Sequence, residues 1–212
     1  MPPTLTRRTL LSAAALFQPT RKLKIAFLGA AHAHFPGKLA AVRANPAFEL
    51  AGFVEDDPQI RARLQAQSEI LLTRDQLLAD PTIEVIAVES QVKRHARDAF
   101  AALNAGKHIH LEKPPADNLA DTRTVIETAR RKQRLLQLGY IWRHHPGVNR
   151  MLEAARQGWL GDIYLVKAMT NTLIEPEARP DWNLFPGGQM FEQGCHLLDP
   201  IVRLLVKPGK VT

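Results

Sequence analysis

Several features that define common protein classes are missing from this chain of 212 residues. It has one cysteine, Cys195, so an intrachain disulfide is excluded and a cysteine-based metal cluster has no support. It also has no run of about 20 apolar residues, the length that a membrane-spanning helix requires. We therefore expect no stable insertion into a membrane.

Acidic residues are absent from the first 48 positions, which carry seven lysines and arginines. The chain as a whole has 28 basic and 21 acidic side chains and a formal net charge of +7. The excess positive charge thus lies in the N-terminal part, and the rest of the sequence is balanced. Because a nucleic-acid-binding surface needs a basic stripe on the folded body, we expect no nucleic-acid partner.

The basic N-terminal segment has the pattern of an export signal. Arg7 and Arg8 precede the apolar run Ala13 to Phe17, as in twin-arginine signals. We expect residues 1–21 to lie outside the fold and the protein to be exported to the periplasm by this route. A disordered tail on a cytoplasmic protein is the alternative, because the apolar run is short and no A-x-A cleavage site follows.

From Leu23 onward, short strand-like runs alternate with helix-like segments. The pattern predicts strands at residues 23–28, 48–54, 84–88, 107–111 and 135–141, with helices between them. Strands separated by helices of about 10–15 residues imply βαβ units. We therefore predict an α/β fold with a doubly wound parallel sheet over residues 22–142.

The character of the sequence changes after Arg143. A helix at 145–157 and a strand at 163–171 are predicted, then a charged, proline-containing loop at 175–186, and finally a helix around residue 192. The last residues, Lys207 to Thr212, could begin another strand. We expect residues 143–212 to be part of an incomplete α+β second domain, in a chain that is truncated at its C-terminus.

Two of the three glycines of the dinucleotide-binding pattern G-x-G-x-x-G are missing from the first strand–helix turn. Only Gly29 remains, and Ala31 stands where backbone would approach a phosphate. The helix N-terminus can still bind an anion through its free N–H groups. His34 stands at the position of the third glycine. His32 and His34 either add a donor to this anion site or merely cap or flank the helix.

Glu55 follows the second predicted strand. A carboxylate there accepts hydrogen bonds from both ribose hydroxyls and repels a 2′-phosphate, which favours NAD over NADP. The alternative is an acid in a solvated turn. Glu89, after the third strand, could stabilise a positively charged ring or belong to a solvated loop, and both interpretations stay open.

Two later segments carry reactive side chains. Lys113 follows the fourth strand, and Glu192, His196 and Asp199 have the i, i+4, i+7 spacing of one helix face. An ammonium, an imidazole and a carboxylate can shuttle a proton while a cofactor takes a hydride. Glu192 and His196 also have the spacing of a zinc-binding pair. No third ligand is evident, so we expect no metal.

Together these segments resemble the Gfo/Idh/MocA oxidoreductases, the glucose–fructose oxidoreductase and inositol dehydrogenase family. The resemblance implies a Rossmann-type domain followed by part of a substrate domain, and full-length relatives that are homo-oligomers. The matching positions are Ala105–Pro114, His95, Arg143 with Pro146, Gly158–Ile163 and Gly187–Asp199.

The resemblance also implies roles for individual residues. Lys113 would contact both nicotinamide and substrate hydroxyl, with Glu112 beside it at the cofactor. His196 would exchange the substrate proton, and Glu192 replaces the family's aspartate with a side chain one methylene longer. The residues implied at the substrate are Lys113, Arg143, His196 and Asp199.

The resemblance implies a nicotinamide-dependent oxidoreductase that acts on a sugar, cyclitol or related polyol by hydride transfer. NAD is the expected cofactor, and NADP is the alternative. Two other functions stay open. One is an NAD-dependent glycosidase of the same fold, and the other is a non-catalytic nucleotide or sugar binder.

Overall fold

The computed structural model describes residues 21–171, 173 and 188–205. A five-stranded parallel sheet forms its centre, in the order β2-β1-β3-β4-β5. The strands are β1 (Leu23–Leu28), β2 (Phe48–Val54), β3 (Val85–Val88), β4 (His108–Leu111) and β5 (Leu136–Leu138). The predicted doubly wound parallel sheet is confirmed.

Seven α-helices lie within the described residues: α1 (Phe35–Ala44), α2 (Pro58–Ala66), α3 (Arg74–Ala79), α4 (His95–Asn104), α5 (Leu119–Arg131), α6 (Pro146–Arg156) and α7 (Gly188–Leu205). Their starts follow local chemistry. Asp57 caps α2 by accepting hydrogen bonds from the backbone N–H groups of Gln59 and Ile60. Thr73 and Gln76 form a reciprocal capping box at α3, a short helix that the sequence pattern did not predict.

Apolar side chains pack against both faces of the sheet. On one face Phe27 stacks on Phe53 with ring centroids 5.5 Å apart, and Phe35 of α1 meets Phe27 edge-on. The opposite face packs Ile86 and Leu111 among residues of α4 and α5. Because both faces are covered, the strands read as continuous apolar runs rather than as alternating ones.

Each strand ends directly before a residue that matters for the site. Gly29 follows β1, and the glutamates Glu55, Glu89 and Glu112 follow β2, β3 and β4 in turn, while Gly139 follows β5. In a parallel sheet these residues share one edge. The strand order reverses between β1 and β3, and ligands of doubly wound folds bind in the crevice at this point.

The prediction for the region after the sheet was partly wrong. Residues 163–171, expected as a strand, have no regular secondary structure and are largely exposed, because no strand among the described residues pairs with them. β5 ends at Leu138 rather than at Ile141, and Ile141–His144 is a short 3-10 helix. The predicted loop at 175–186 and the possible last strand at 207–212 lie outside the described residues.

The helices α6 and α7 pack against each other. Arg203 of α7 donates to the side-chain oxygen of Asn149 at 3.0 Å, and Arg156 donates to the backbone oxygen of Arg203 at the same distance. This packing holds one end of α7, while Glu192 at the other end reaches Lys113 beside the sheet edge. Among the described helices, none is both long and apolar enough to cross a membrane.

Candidate active site

The first strand–helix turn retains its one indispensable glycine. Gly29 has a φ of +88°, and a Cβ there would lie 2.4 Å from both the nitrogen and the Cα of Ser90. No side chain fits this space, so β1 and the segment after β3 can approach only through glycine. Ala31, which replaces the second glycine, is half-buried in the same turn.

Glu55 supports the turn from the end of β2. One carboxylate oxygen accepts a hydrogen bond from the backbone N–H of Ala30 at 2.6 Å, and the other accepts from that of Asp57 at 2.8 Å. Glu55 is 5% exposed, so it is not an acid in a solvated turn. The carboxylate lies at the position from which it could reach a ribose, but it already fixes the backbone around it.

Two histidines fill the remainder of the turn. His32 is buried, and its Nδ1 accepts a hydrogen bond from the backbone N–H of His34 at 3.1 Å. Burial lowers the pKa of His32 to about 3, so the ring is neutral in ordinary buffers. His34 places its own Nδ1 3.1 Å from Glu112 Oε1. The histidines therefore connect the turn to the end of β4.

Lys38 is a site residue that the sequence analysis missed. Its ammonium lies 2.6 Å from Glu89 Oε1 and also bonds Glu112 Oε2. Lys38 follows His34 by four residues, so both project from the same face of α1. The four-residue spacing from His34, which replaces a glycine of the pattern, was the signal that could have pointed to Lys38.

The two carboxylates that share Lys38 have opposite pKa shifts. Burial raises the pKa of Glu89 to about 7, because the nearby Lys38 compensates only part of the desolvation. Burial also disfavours the charged form of Glu112, but the hydrogen bond with His34 and the charge of Lys38 outweigh it and hold the pKa well below the usual range. Glu89 is fully buried, which excludes the solvated-loop interpretation.

Gly139 makes room for Glu112. A Cβ at this position would lie 2.7 Å from both carboxylate oxygens of Glu112. The same carboxylate accepts a hydrogen bond from the backbone N–H of Lys113 at 2.9 Å. The glycine after β5 is therefore a requirement of the site, and the sequence pattern of the strand alone did not reveal it.

Lys113 lies at the centre of the cluster. It is 1% exposed, and its ammonium binds a carboxylate oxygen of Glu192 and lies 3.4 Å from the backbone oxygen of the same residue. Burial raises the pKa of Glu192, and the neighbouring ammonium opposes this shift. The peptide bond between Lys113 and Pro114 is cis. The structure thus brings Lys113 and Glu192 into direct contact, and the sequence analysis had assigned both residues to one site.

His196 lies one turn further along α7. Its ring centroid is 6.5 Å from that of His34. Its Nδ1 is buried and has no hydrogen-bond partner among the described residues. Burial, followed by the positive charge of Lys113, lowers the pKa of His196. Glu192 contacts Lys113 rather than His196, so the carboxylate orients the lysine and not the imidazole.

Arg143 and Asp199 bind each other instead of facing the cluster separately. The guanidinium donates to both oxygens of Asp199 at 2.6–3.0 Å. The side chain of Arg143 is half exposed, and it stacks over the ring of Tyr140 with 5.4 Å to the centroid. This pair anchors α7 to the segment after β5.

Three further arginines converge beyond Glu55. Arg74, Arg94 and Arg97 each place a guanidinium nitrogen 3.1–3.4 Å from one carboxylate oxygen of Asp56. Asp98, which is buried, accepts from Arg74 at 3.0 Å. Three guanidinium groups therefore meet the carboxylates of Asp56 and Asp98 next to the end of β2. The sequence did not show this cluster because Arg74 and the other two arginines come from different segments.

Comparisons with known proteins agree with this fold. Residues 23–140 match the profile of the family described as the GFO_IDH_MocA oxidoreductase family with an NAD-binding Rossmann fold. A dehydrogenase of 1-carboxy-3-chloro-3,4-dihydroxycyclohexa-1,5-diene from Comamonas testosteroni is 32% identical over 140 residues, which are 65% of this chain and 35% of the relative. D-glucoside 3-dehydrogenase from Escherichia coli is 29% identical over 132 residues, 59% of this chain and 37% of the relative.

A solved structure of an NAD-binding protein from Listeria innocua is similar to 87% of this chain, with a TM-score of 0.74 and 19% identity, over 55% of its own length. The chain spans less than half the length of the two dehydrogenases it matches. The family profile nevertheless covers more than half of the chain, including the turn at Gly29 and the segment that carries Lys113. The chain therefore belongs to the Gfo/Idh/MocA oxidoreductase family.

Proposed function

We propose that this chain forms the cofactor-binding part and the reactive centre of a nicotinamide-dependent oxidoreductase that acts on a sugar, cyclitol or related polyol. The observation that carries this proposal is the convergence of Lys113, Glu192 and His196 beside the turn at Gly29. Two of the similar proteins are named as dehydrogenases of a glucoside and of a dihydroxylated ring acid.

The residues of the turn fit a dinucleotide in two respects. Gly29 leaves no space for a side chain between β1 and the segment after β3, and Glu55 lies at the end of β2 where a ribose binds in folds of this type. The departures, at Ala31 and His34, change which groups line the turn. A bound nicotinamide would supply the hydride acceptor.

The protein's own groups would handle the proton. Lys113 would donate a hydrogen bond to the reacting hydroxyl, and Glu192 would hold its ammonium in place. Nδ1 of His196, which lacks a partner among the described residues, would accept the hydroxyl proton as the hydride leaves carbon. Burial, followed by the charge of Lys113, lowers the pKa of His196, which favours the neutral ring that can accept a proton.

We propose NAD as the cofactor, because the Glu55 carboxylate would repel a 2′-phosphate. NADP is the second candidate, since Arg74, Arg94 and Arg97 gather around Asp56 directly after Glu55. Calorimetric titration of the full chain with both cofactors distinguishes them. Tighter binding of NAD supports the proposal that Glu55 repels a 2′-phosphate. Tighter binding of NADP would instead indicate that the three arginines bind this phosphate.

The two buried lysines at opposite ends of β4 provide a matched test of the chemistry. Lys107 precedes the strand and donates to the backbone oxygen of Asp80, while Lys113 follows the strand. In the full chain with NAD, a screen of sugars and cyclitols should detect nicotinamide reduction. Lys113→Met should slow it by roughly 10²–10⁴-fold, the range of general acid–base catalysis.

Lys107→Met should leave the rate unchanged, because this lysine lies at the far end of the strand. Thermal unfolding of both variants checks that they fold. Equal activity of the Lys113→Met protein and the wild type would contradict the proposed role, as would a folded chain that binds neither cofactor.

We also propose export through the twin-arginine route, for which Arg7 and Arg8 are the support. Fusion of residues 1–30 to a reporter that is active only after export tests it. Export that is lost when both arginines are replaced by lysine is the expected result, and export independent of them would contradict it.

A further inference from the structure

One buried histidine beside the charged cluster lies between two backbone carbonyl oxygens. His95, the first residue of α4, is fully buried. Its Nδ1 lies 2.7 Å from the backbone oxygen of Pro114, and its Nε2 lies 2.9 Å from that of Ser90. Both separations are within the range of hydrogen bonds. The ring therefore bridges the segments that follow β4 and β3.

These two segments carry charged side chains of the site. Pro114 directly follows Lys113, and Ser90 directly follows Glu89. A movement of the Pro114 carbonyl is passed on to Lys113, because each residue of the backbone has only two soft dihedral angles. The contact between His95 and Pro114 therefore bears on the position of the Lys113 side chain.

The packing of α4 makes His95 a fixed point. Ala99, Ala102 and Leu103 are fully buried in the apolar core against the sheet. Close-packed interiors yield little, so the backbone of His95 is fixed relative to β3 and β4. Pro114 is buried, and no other donor among the described residues bonds its oxygen. Without His95 this oxygen would be buried without a partner, which is unfavourable.

The charge state of the ring limits what it can donate. Burial lowers the pKa of His95, and the contacts with Pro114 and Ser90 oppose this shift only in part. The neutral ring is therefore favoured, and it has one N–H group, which can donate to only one of the two oxygens. The contact from Nδ1 to Pro114 is the shorter one, as expected where a proton lies between the two atoms.

We propose that His95 is a positioning residue, which donates through Nδ1 to the Pro114 oxygen and thereby holds Lys113 where it meets the reacting hydroxyl. This inference rests on the proposed function, since it concerns the placement of the Lys113 ammonium. The turn at Gly29 approaches Ser90 rather than Pro114. Loss of the Pro114 bond should therefore lower kcat and leave the affinity for NAD almost unchanged.

Two amide side chains at position 95 separate the two contacts. The side-chain nitrogen of asparagine can take the place of Nδ1, and that of glutamine the place of Nε2. In the full chain, His95→Gln should lower kcat by up to about 10²-fold, the cost of a misplacement of roughly 1 Å. His95→Asn should keep kcat near the wild-type value. Calorimetry should give similar NAD affinities for both variants and the wild type, and thermal unfolding confirms that both variants fold.

Nuclear magnetic resonance of the wild-type chain with isotope-labelled histidine tests the hydrogen bond without any activity. The expected result is a slowly exchanging proton on Nδ1 of His95. A proton on Nε2 instead, equal kcat values for the two variants, or an NAD affinity that falls in parallel with kcat in His95→Gln would overturn the proposal.

The same measurements separate this proposal from the function above. An active wild type whose two variants behave alike overturns only the role of His95. A folded wild type that neither binds nor reduces NAD overturns the proposed function, and the position of the ring proton still decides whether His95 holds the Pro114 oxygen.

Discussion

Two regions border the same sheet, and their physical character is opposite. A cavity of about 550 Å³ lies between β5 and α5, and Ile126, Leu136 and Leu138 are among the side chains that line it. The carboxyl edge of β1, β3 and β4 is instead filled by its own side chains, with Glu89, Glu112 and Lys113 almost completely buried.

Free space and reactive side chains are therefore found in different places in this molecule. The cavity beside β5 is lined by leucines together with arginines and glutamines, and no lysine or carboxylate is among its lining residues. At the switch point, carboxylates, ammonium groups and imidazoles are desolvated together, and their pKa values move in opposite directions. A cluster of buried groups with perturbed pKa values is a candidate functional site.

The largest effect on stability is expected at Gly29. Gly29→Ala should lower the free energy of unfolding by about 3 kcal/mol, the sum of left-handed backbone strain and a clash of the new Cβ with the backbone of Ser90. Gly158→Ala is the control, because Gly158 also has a positive φ but a Cβ added there would meet no atom within 4 Å, so it should lose only about 1 kcal/mol. Urea denaturation measures both, and equal losses would contradict the close approach at the site.

The next effect depends on pH. Glu89 has a raised pKa of about 7 in the fold against 4.5 in the unfolded chain, so the folded state holds its proton more tightly and its contribution to stability falls as pH rises from 4.5 to 7. Relative to the wild type, Glu89→Gln should therefore gain about 2–3 kcal/mol between pH 5 and pH 8. Denaturation at both pH values measures the change.

Glu127→Gln serves as the control for this experiment, because it removes a carboxylate from the exposed surface of α5 rather than from the buried cluster. A Glu89→Gln protein that is equally stable relative to the wild type at both pH values would show that Lys38 compensates the buried carboxylate fully.

A smaller effect is expected in the cavity beside β5. Leu138 is half-buried there, so Leu138→Ala should cost about 1–2 kcal/mol of stability through lost apolar burial. Because the cavity lacks the buried charges of the switch point, NAD affinity measured by calorimetry should stay the same. A weaker affinity in a folded Leu138→Ala protein would place the cofactor in the cavity and contradict the contrast between the two regions.

The smallest effect is expected at Arg143. Its side chain is half exposed, so breaking the pair with Asp199 by Arg143→Ala should cost no more than about 1 kcal/mol. Salt should reduce this difference, because the pair is open to solvent. A loss of stability several times larger in urea denaturation would mean that the pair of Arg143 and Asp199 contributes more to holding α7 in place than we infer.

The fold could be read from the sequence because apolar periodicity is a local signal. The bounds of β1 and β2 matched the prediction at both ends. The strand predicted at 163–171 failed because strand formation depends on a partner, which periodicity does not reveal. β5 was predicted too long: Gly139 still donates to the backbone oxygen of Leu111, but the chain then turns into the 3-10 helix Ile141–His144.

The candidate site was only partly predictable. Lys113, Glu192 and His196 stood out because family resemblance and helical spacing pointed to them. Lys38 did not, since a lysine in α1 looks like a surface residue until the sheet places it between Glu89 and Glu112. The spacing of residues along the chain does not encode such convergence.

Amide hydrogen exchange of the full chain with and without NAD tests the central claim most directly, that the buried charged cluster at the switch point is the cofactor site. We predict that NAD slows exchange in residues 29–34, in the turn after Glu55 and around Lys113, and leaves residues 133–138 unchanged. Protection confined to 133–138, beside the cavity, would contradict the account.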